Sequence, residues 1–147
     1  MAIRLGMDCK LYFNNGGDWA APVWQEIGNA RDVNLSLETG EADVTTRGNA
    51  GWRATLATLK EGSIEFEMIW DTEDDAFAAF QQAYFSNTPI EVAAMDGDVA
   101  ASGSSGLHAE FSVTNFSRNE PLEEAVTASV TIKPTYSANA PEWLETA

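Results

Sequence analysis

The chain has 147 residues and a formal net charge of −15, from 23 acidic and 8 basic residues. This length is typical of one domain with its own core, so we expect a single domain over residues 1–147. With 44% hydrophobic residues, the composition is too apolar for a disordered acidic chain. The acidic excess disfavours binding to nucleic-acid phosphates, because such binding depends on Lys and Arg.

The first residues alternate between apolar and polar side chains, and this period of two predicts a strand with one buried face. The charges of Arg4, Asp8 and Lys10 interrupt the apolar stretch that a signal peptide needs. No segment approaches the roughly 18 apolar residues of a membrane span, so we expect no membrane insertion. The apolar face comprises Ile3, Leu5, Met7, Cys9, Leu11 and Phe13.

Next come a short strand near residues 23–27 and an alternating run over residues 32–38. Residues 39–62 show no regular alternation of apolar and polar side chains. This stretch is predicted to be a long loop, and such loops in compact domains are usually functional or disordered. It contains Arg47, Trp52 and Arg53. A Trp flanked by two Arg favours a loop that orders against another surface.

Regular alternation returns at residues 63–70, where Ile64, Phe66 and Met68 are predicted to be buried. Glu65 and Glu67 then share the opposite, polar face of the strand. A pair of carboxylates superficially suits hydrolytic chemistry, and an acidic-face hydrolase is the enzyme alternative. A solvated or lumen-lining face is the preferred interpretation, since nothing in the sequence indicates a pocket.

A helix is predicted over about residues 72–85. Asp71 or Thr72 is positioned to cap it, and the acidic residues that follow complement its dipole. Phe77, Phe80 and Tyr84 form an apolar stripe at helical spacing. The carboxylates near its start lack the spacing of an EF-hand, so capping explains them better than a cation site does.

The last part of the chain is predicted to contain a flexible loop at residues 98–106, two long strands at 107–117 and 125–135, and a tail at 136–147. Charge is divided unevenly along the sequence: residues 1–60 carry a net charge of −1 and residues 61–147 carry −14. Such an asymmetry suggests two different surfaces.

The sequence offers little for catalysis. His108 is the one histidine and is expected at a strand edge or surface, and Cys9 is expected to act as a small hydrophobe on the first strand. No zinc-ligand spacing, phosphate-binding loop or nucleophile motif is present. We therefore expect a protein that is not an enzyme and that holds no metal or cofactor.

The order of several short motifs resembles phage major tail proteins, the tail tube subunits of long-tailed phages, over residues 5–135. The first motifs are W-x-E-I-x-x-A-R-D-V-x-L at residues 24–35, E-A-D-V-T-T-R at 41–47 and Trp52-Arg53. A predicted strand, an Asp and a helix with paired aromatic residues follow, and then P-I-E-V at 89–92. Tail tubes of gene transfer agents and the tube protein of a secretion system share this architecture.

The resemblance implies a mainly β fold with one α-helix, namely a two-sheet sandwich or barrel with a long inter-strand loop and a long C-terminal hairpin. It implies hexameric rings that stack into a hollow virion tail tube, with the protein made in the host cytoplasm. The tape-measure protein would fill the lumen, the tail terminator and distal tail proteins would contact the tube, and phage DNA would pass through without specific binding. The long loop would reach the next ring through Arg47, Trp52, Arg53 and Lys60, and the lumen-lining candidates are Glu65, Glu67 and Glu110.

Two alternatives remain at this point. The chain is a tube subunit of a related injection or gene-transfer machine, or it belongs to a different class as a monomeric β-sandwich binding module. A binding module is expected to stay monomeric, whereas a tube subunit is expected to self-assemble.

Overall fold

The computed structural model describes residues 3–147, which form eight β-strands and one α-helix. The strands are β1 (Lys10–Asn14), β2 (Trp24–Glu26), β3 (Ala30–Asp43), β4 (Thr55–Ile69), β5 (Ile90–Met95), β6 (Ser105–Asn119), β7 (Thr127–Pro134) and β8 (Glu142–Glu145). The helix is α1 (Asp75–Ser86), and short 3-10 turns lie at Gly6–Asp8 and Arg47–Asn49.

The strands are joined in the order β2-β1-β5-β6-β7-β4-β3, with β8 also paired to β6. All these pairings are antiparallel. The first half of β6 pairs with β5 and β8, whereas its second half pairs with β7. Apolar residues of β1 and β5 share one core with those of β4 and β7, so the sheet folds over on itself about β6. The expected mainly β sandwich with one helix is confirmed.

The core lies between the folded sheet and α1. Phe77 and Phe80 of the helix are fully buried, and the ring of Phe80 meets that of Phe66 edge-on at 5.3 Å. Ile64 and Met68 are also fully buried, as the alternation in β4 predicted. Burial of each such side chain contributes about 1.5–3 kcal/mol, so this face of β4 strongly anchors the helix.

The predicted strand at the amino terminus begins later than expected. Ile3, Leu5 and Met7 are exposed by 59–86%, and β1 starts at Lys10. Lys10 lies opposite Met95, the last residue of β5, beyond which the chain turns away. Residues before Lys10 therefore have no neighbouring strand to complete a ladder. The interpretation of Cys9 as a buried residue is also wrong, because it is exposed.

The prediction of a long irregular loop at residues 39–62 is wrong. β3 continues to Asp43 and β4 begins at Thr55, which leaves residues 44–54 as the turn between them. We call the projecting part of this hairpin, residues 38–61, the arm. Most of its side chains are exposed on both faces, so no alternation of burial marks the strands in the sequence.

The helix begins later than predicted, and its cap differs. Asp74 is the N-cap, and its Oδ2 accepts a hydrogen bond from the N–H of Phe77 at 3.0 Å. Asp71 lies earlier, where its carboxylate accepts from the N–H of Glu73. The helix ends at Ser86, because Asn87 adopts the left-handed conformation with φ of 53°.

The regions predicted as a flexible loop and a tail contact each other. β6 already begins at Ser105, and the tail contributes β8 to its edge. The backbone of Thr146 exchanges hydrogen bonds of 2.8 Å with Gly103 and Ser104. Ser104 is 1% exposed, so this loop is tied to the last residues of the chain.

Candidate assembly surfaces

Four strand segments form an open sheet with one apolar and one polar face. They are the second half of β6, then β7, β4 and β3, and their apolar face packs against α1. We call the opposite side the polar face. Glu65 lies on it between Asn34 and Thr131, and Glu67 lies between Arg31 and Ser129. Other residues of this face are Ser36, Glu38, Glu61, Ser63, Ser112, Asn115, Ser117 and Lys133.

Glu110 lies apart from the other two lumen candidates. Strand alternation places it on the same side of the sheet, but in the first half of β6, directly opposite Glu91 of β5. Glu110 and Glu67 are both partly buried, whereas Glu65 is exposed. The structure therefore brings Glu65 and Glu67 together on the polar face and separates Glu110 from them.

This four-stranded sheet has two free edges within residues 3–147. β3 pairs with β4 on one side and with no described strand on the other. β5 begins at Ile90 opposite Phe111, so residues 112–119 of β6 have no partner on that side. Long unpaired edges are sites of strand pairing between chains unless they are covered.

The turn of the arm carries three of the four predicted stacking residues. Arg47, Trp52 and Arg53 lie in residues 44–54, and Trp52 is 78% exposed. This segment contains no acidic residue. Lys60 lies instead within β4, paired with Thr39, and is separated from the turn by the strand. The arm therefore ends in a compact surface with two positive charges and one large exposed aromatic ring.

The opposite end of the same sheet is strongly acidic. β4 and β6 are both antiparallel to β7, so their last residues, Ile69 and Asn119, lie at the end remote from the arm turn. The segments that follow them bring seven carboxylates to this end. They are Asp71, Glu73, Asp74, Asp75, Glu120, Glu123 and Glu124, which we call the acidic end. The acidic residues at 71–75 and those at 120–124 form two separate clusters in the sequence. Only the strand pairing shows that the two clusters lie at the same end of the sheet.

His108 is buried, so its predicted position at a surface or edge is wrong. It is 2% exposed, stacked on Trp19 at 3.8 Å between ring centroids and met edge-on by Trp24 at 5.1 Å. Its Nδ1 lies 2.9 Å from Oε1 of Glu142, and its Nε2 lies 3.6 Å from Oε2 of Glu91. This cluster joins β2, β5, β6, β8 and the loop before β2. No sequence signal marked it, since its members are far apart in the chain.

A groove of about 730 Å³ runs beside the start of β3. Val33 and Leu35 line one side, and Met7, Met95 and Trp143 are among the residues that line the other. Across residues 3–147, no group of three metal-ligating side chains is present. No described helix is long and apolar enough to cross a membrane.

Comparison with known proteins agrees with this geometry. The sequence model of the family described as "Phage tail tube protein" matches residues 5–135. No curated protein sequence matches the chain.

Solved structures share the fold at low sequence identity. The tail of an empty gene transfer agent particle, determined with C6 symmetry, matches with a TM-score of 0.75 and 18% identity, covering 99% of this chain and 100% of that one. The SPP1 tail tube matches with a TM-score of 0.70 and 16% identity, covering 89% and 75%. A chain of the anti-feeding prophage baseplate matches with a TM-score of 0.63 and 10% identity, covering 99% and 97%.

Proposed function

The chain belongs to the phage tail tube protein family, and from this membership we propose that it forms hexameric rings that stack into a hollow virion tail tube. The observation that carries the proposal is the four-stranded sheet with a polar face and two free edges. The C6 symmetry of the gene transfer agent tail, whose subunit has this fold, supports six copies in a ring.

Ring closure joins the two free edges. Neighbouring strands of the four-stranded sheet are all antiparallel, so its two outer strands, β3 and the second half of β6, run in opposite directions. The free edge of β3 in one copy can therefore pair antiparallel with residues 112–119 of the next copy. Repetition of this head-to-tail contact closes a ring when the rotation between copies allows it. A closed barrel then has no exposed strand edge.

The polar face lines the lumen in this arrangement. α1 and the apolar core occupy the other side of the sheet, so the helix lies on the outside of the tube. Glu65 and Glu67 project from the polar face towards the bore, where like charge repels DNA phosphates. Phage DNA thus passes without being held. Glu110 stands further from the central sheet and has a smaller part in this lining.

Stacking of rings joins the arm turn to the acidic end. Arg47 and Arg53 lie at one end of the sheet, and the seven carboxylates lie at the other. When rings stack in the same direction, these opposite charges face each other across every junction. Trp52 adds exposed apolar area to the contact, and Lys60 adds a positive charge further along the arm. The charge separation gives the tube a direction.

From this role as a structural subunit we also propose the partners and the location of the protein. The tape-measure protein fills the lumen during assembly, and the tail terminator and distal tail proteins contact the tube ends. The protein is made in the host cytoplasm and becomes part of the virion tail. It has no catalytic role and needs no cofactor. A tube in a gene transfer agent or related injection machine is a variant of the same function, favoured by the fold likeness.

Negative-stain electron microscopy of the purified full chain tests the proposal. We expect rings with six-fold symmetry or long tubes, at protein concentrations that rise from the micromolar to the millimolar range. Light scattering measures the mass of the same samples. Particles that remain monomeric throughout would contradict assembly and favour a monomeric binding module.

A further inference from the structure

We propose that within each ring the aromatic pair Tyr84–Phe85 of one copy enters the groove beside β3 of its neighbour. This lateral contact rests on the proposed function, in which β3 of one copy pairs with β6 of the next. It forms a second, apolar layer outside the strand ladder. The occupant of the groove is thus a second copy of this chain.

The aromatic pair stands at a free edge of the sheet. Phe85 is 71% exposed and Tyr84 is 38% exposed, and their rings meet edge-on at 5.3 Å. The Tyr84 ring also stacks on Phe116 of β6 at 6.2 Å. Phe116 belongs to the half of β6 whose outer edge has no partner in the described chain. The pair therefore stands on the α1 side of the sheet, next to the edge that closes the ring.

The groove stands at the other free edge, on the same side of the sheet. Leu35, which lines it, lies opposite the core residue Ile64, so the groove opens on the α1 side. Val33, Met7 and Trp143 line it with exposed fractions of 45%, 86% and 54%. The groove is lined mainly by apolar residues, and Lys10, Arg31, Asp32 and Asp96 also border it. Its volume lies in the range of about 300–1,000 Å³ that is typical of ligand pockets.

One row of paired residues connects the two features across the sheet. Phe116 lies opposite Val130 of β7, which lies opposite Phe66 of β4. On β3, the row reaches the bulge between Arg31 and Asn34, where Val33 is located. The pair and the groove are therefore at a similar height along the strands. When two copies join edge to edge, the pair of one copy comes to the groove of the other.

The chemistry of the contact fits its geometry. Phe and Tyr each bury about 150–250 Å² of surface in interfaces, and aromatic residues are enriched at interface centres. Trp143 in the groove offers a further ring for an offset or edge-on contact. Burial of these exposed aromatic side chains stabilises the hexameric ring in addition to the strand pairing.

Cysteine cross-linking tests the contact in the assembled protein. Cys9 is first changed to Ser, and the variants Phe85→Cys and Val33→Cys are then made separately in this background. After the two are mixed, assembled and mildly oxidised, we expect a disulfide-linked dimer, which only a contact between copies can give. A mixture of Val33→Cys and Tyr136→Cys is the matched control, because Tyr136 is fully exposed but lies on neither free edge.

Two results separate this inference from the proposed function. Tubes that form without a Phe85–Val33 dimer would overturn the lateral contact and leave the tube function intact. If the Cys9→Ser protein and the wild type both fail to assemble, the proposed function fails and the contact fails with it. A dimer equally abundant in the Tyr136 control would also overturn the contact.

A second variant measures the contribution of the pair. We expect Phe85→Ala to raise the protein concentration needed for assembly about tenfold, as is typical of a buried aromatic anchor. Its thermal unfolding as a monomer should match that of the wild type, because Phe85 is exposed there. Assembly at the wild-type concentration would contradict the proposal.

Discussion

The Nδ1 atom of His108 lies 2.9 Å from Oε1 of Glu142, so the one histidine of the chain ties the last strand to the middle of β6. His108 is buried while Glu142 is half-exposed. The stability of the C-terminal segment therefore depends on a contact between residues 34 positions apart.

Removal of the Glu142 carboxylate should destabilise the monomer. Glu142→Ala leaves the buried Nδ1 of His108 without its partner, and we expect a loss of about 1–3 kcal/mol in the free energy of unfolding. Glu142→Gln keeps an acceptor and should lose less. Urea denaturation measures both, with Glu145→Ala as the control from the same strand. Equal losses in Glu142→Ala and Glu145→Ala would mean that the contact contributes nothing specific.

Truncation of a buried side chain of α1 should lower the free energy of unfolding far more than truncation of an exposed side chain near the end of the helix. Phe80→Ala removes a fully buried ring from the cluster around Phe66, and we expect a loss of about 3–5 kcal/mol. Phe85→Ala on the same helix removes an exposed ring and should cost less than about 0.5 kcal/mol. Chemical denaturation of the monomers compares them. Similar costs would show that the helix is packed differently.

Charge reversal at the arm turn should block stacking. In an Arg47→Glu, Arg53→Glu double variant, like charges meet at each ring junction, so we expect folded protein that forms no long tubes. Electron microscopy and sedimentation detect the loss, and an Arg47→Lys, Arg53→Lys variant is the charge-conserving control. Tubes identical to those of the wild type would contradict the stacking role.

Charge changes at the acidic end should restore ring stacking in the charge-reversed variant. Addition of Glu123→Arg and Glu124→Arg to the charge-reversed variant lowers the charge of the acidic end from −7 to −3 and offers two positive side chains to the introduced carboxylates. We expect tubes to return, and both native and repaired tubes to weaken as salt is raised, since salt screens exposed charges. No recovery would place the acceptor elsewhere on the neighbouring ring.

Charge reversal on the polar face should make the bore retain DNA. We expect tubes of a Glu65→Lys, Glu67→Lys variant to hold short duplex DNA at low salt and to release it at high salt, because phosphate binding depends on counterion release. Co-sedimentation of labelled DNA measures retention. Gln82→Lys, on an exposed helix position, controls for added positive charge outside the bore. Equal retention in both variants would contradict the lumen assignment.

Alkaline pH should weaken the sheet near Tyr12. Burial raises the pKa of the Tyr12 phenol, and the N–H of Val99, which donates to its oxygen at 3.2 Å, partly offsets this rise. A raised pKa in the folded state means that the contribution to stability is complete below the unfolded value of about 10 and is lost above it. We expect Tyr12→Phe to reduce the fall in thermal stability above this pH. An unchanged pH profile would contradict a role for Tyr12 ionisation.

The sequence by itself determined the elements in which burial follows a local period. Ile64, Phe66 and Met68 alternate because one face of β4 meets the core, and Phe77 and Phe80 recur at helical spacing for the same reason. The order of motifs along the chain also indicated the family. Such signals are local, since each needs only neighbouring residues and one buried face.

Tertiary structure alone decided the rest. The arm strands are solvated on both faces, so their pairing left no period in residues 39–62. The amino-terminal alternation forms a strand only from Lys10 onward, because β5 ends opposite Lys10. His108 is buried by residues that are distant in sequence. The acidic end forms because β4 and β6 are both antiparallel to β7 and therefore end on the same side of the sheet. These features depend on which strand lies beside which, and that information resides in contacts between residues far apart in the chain.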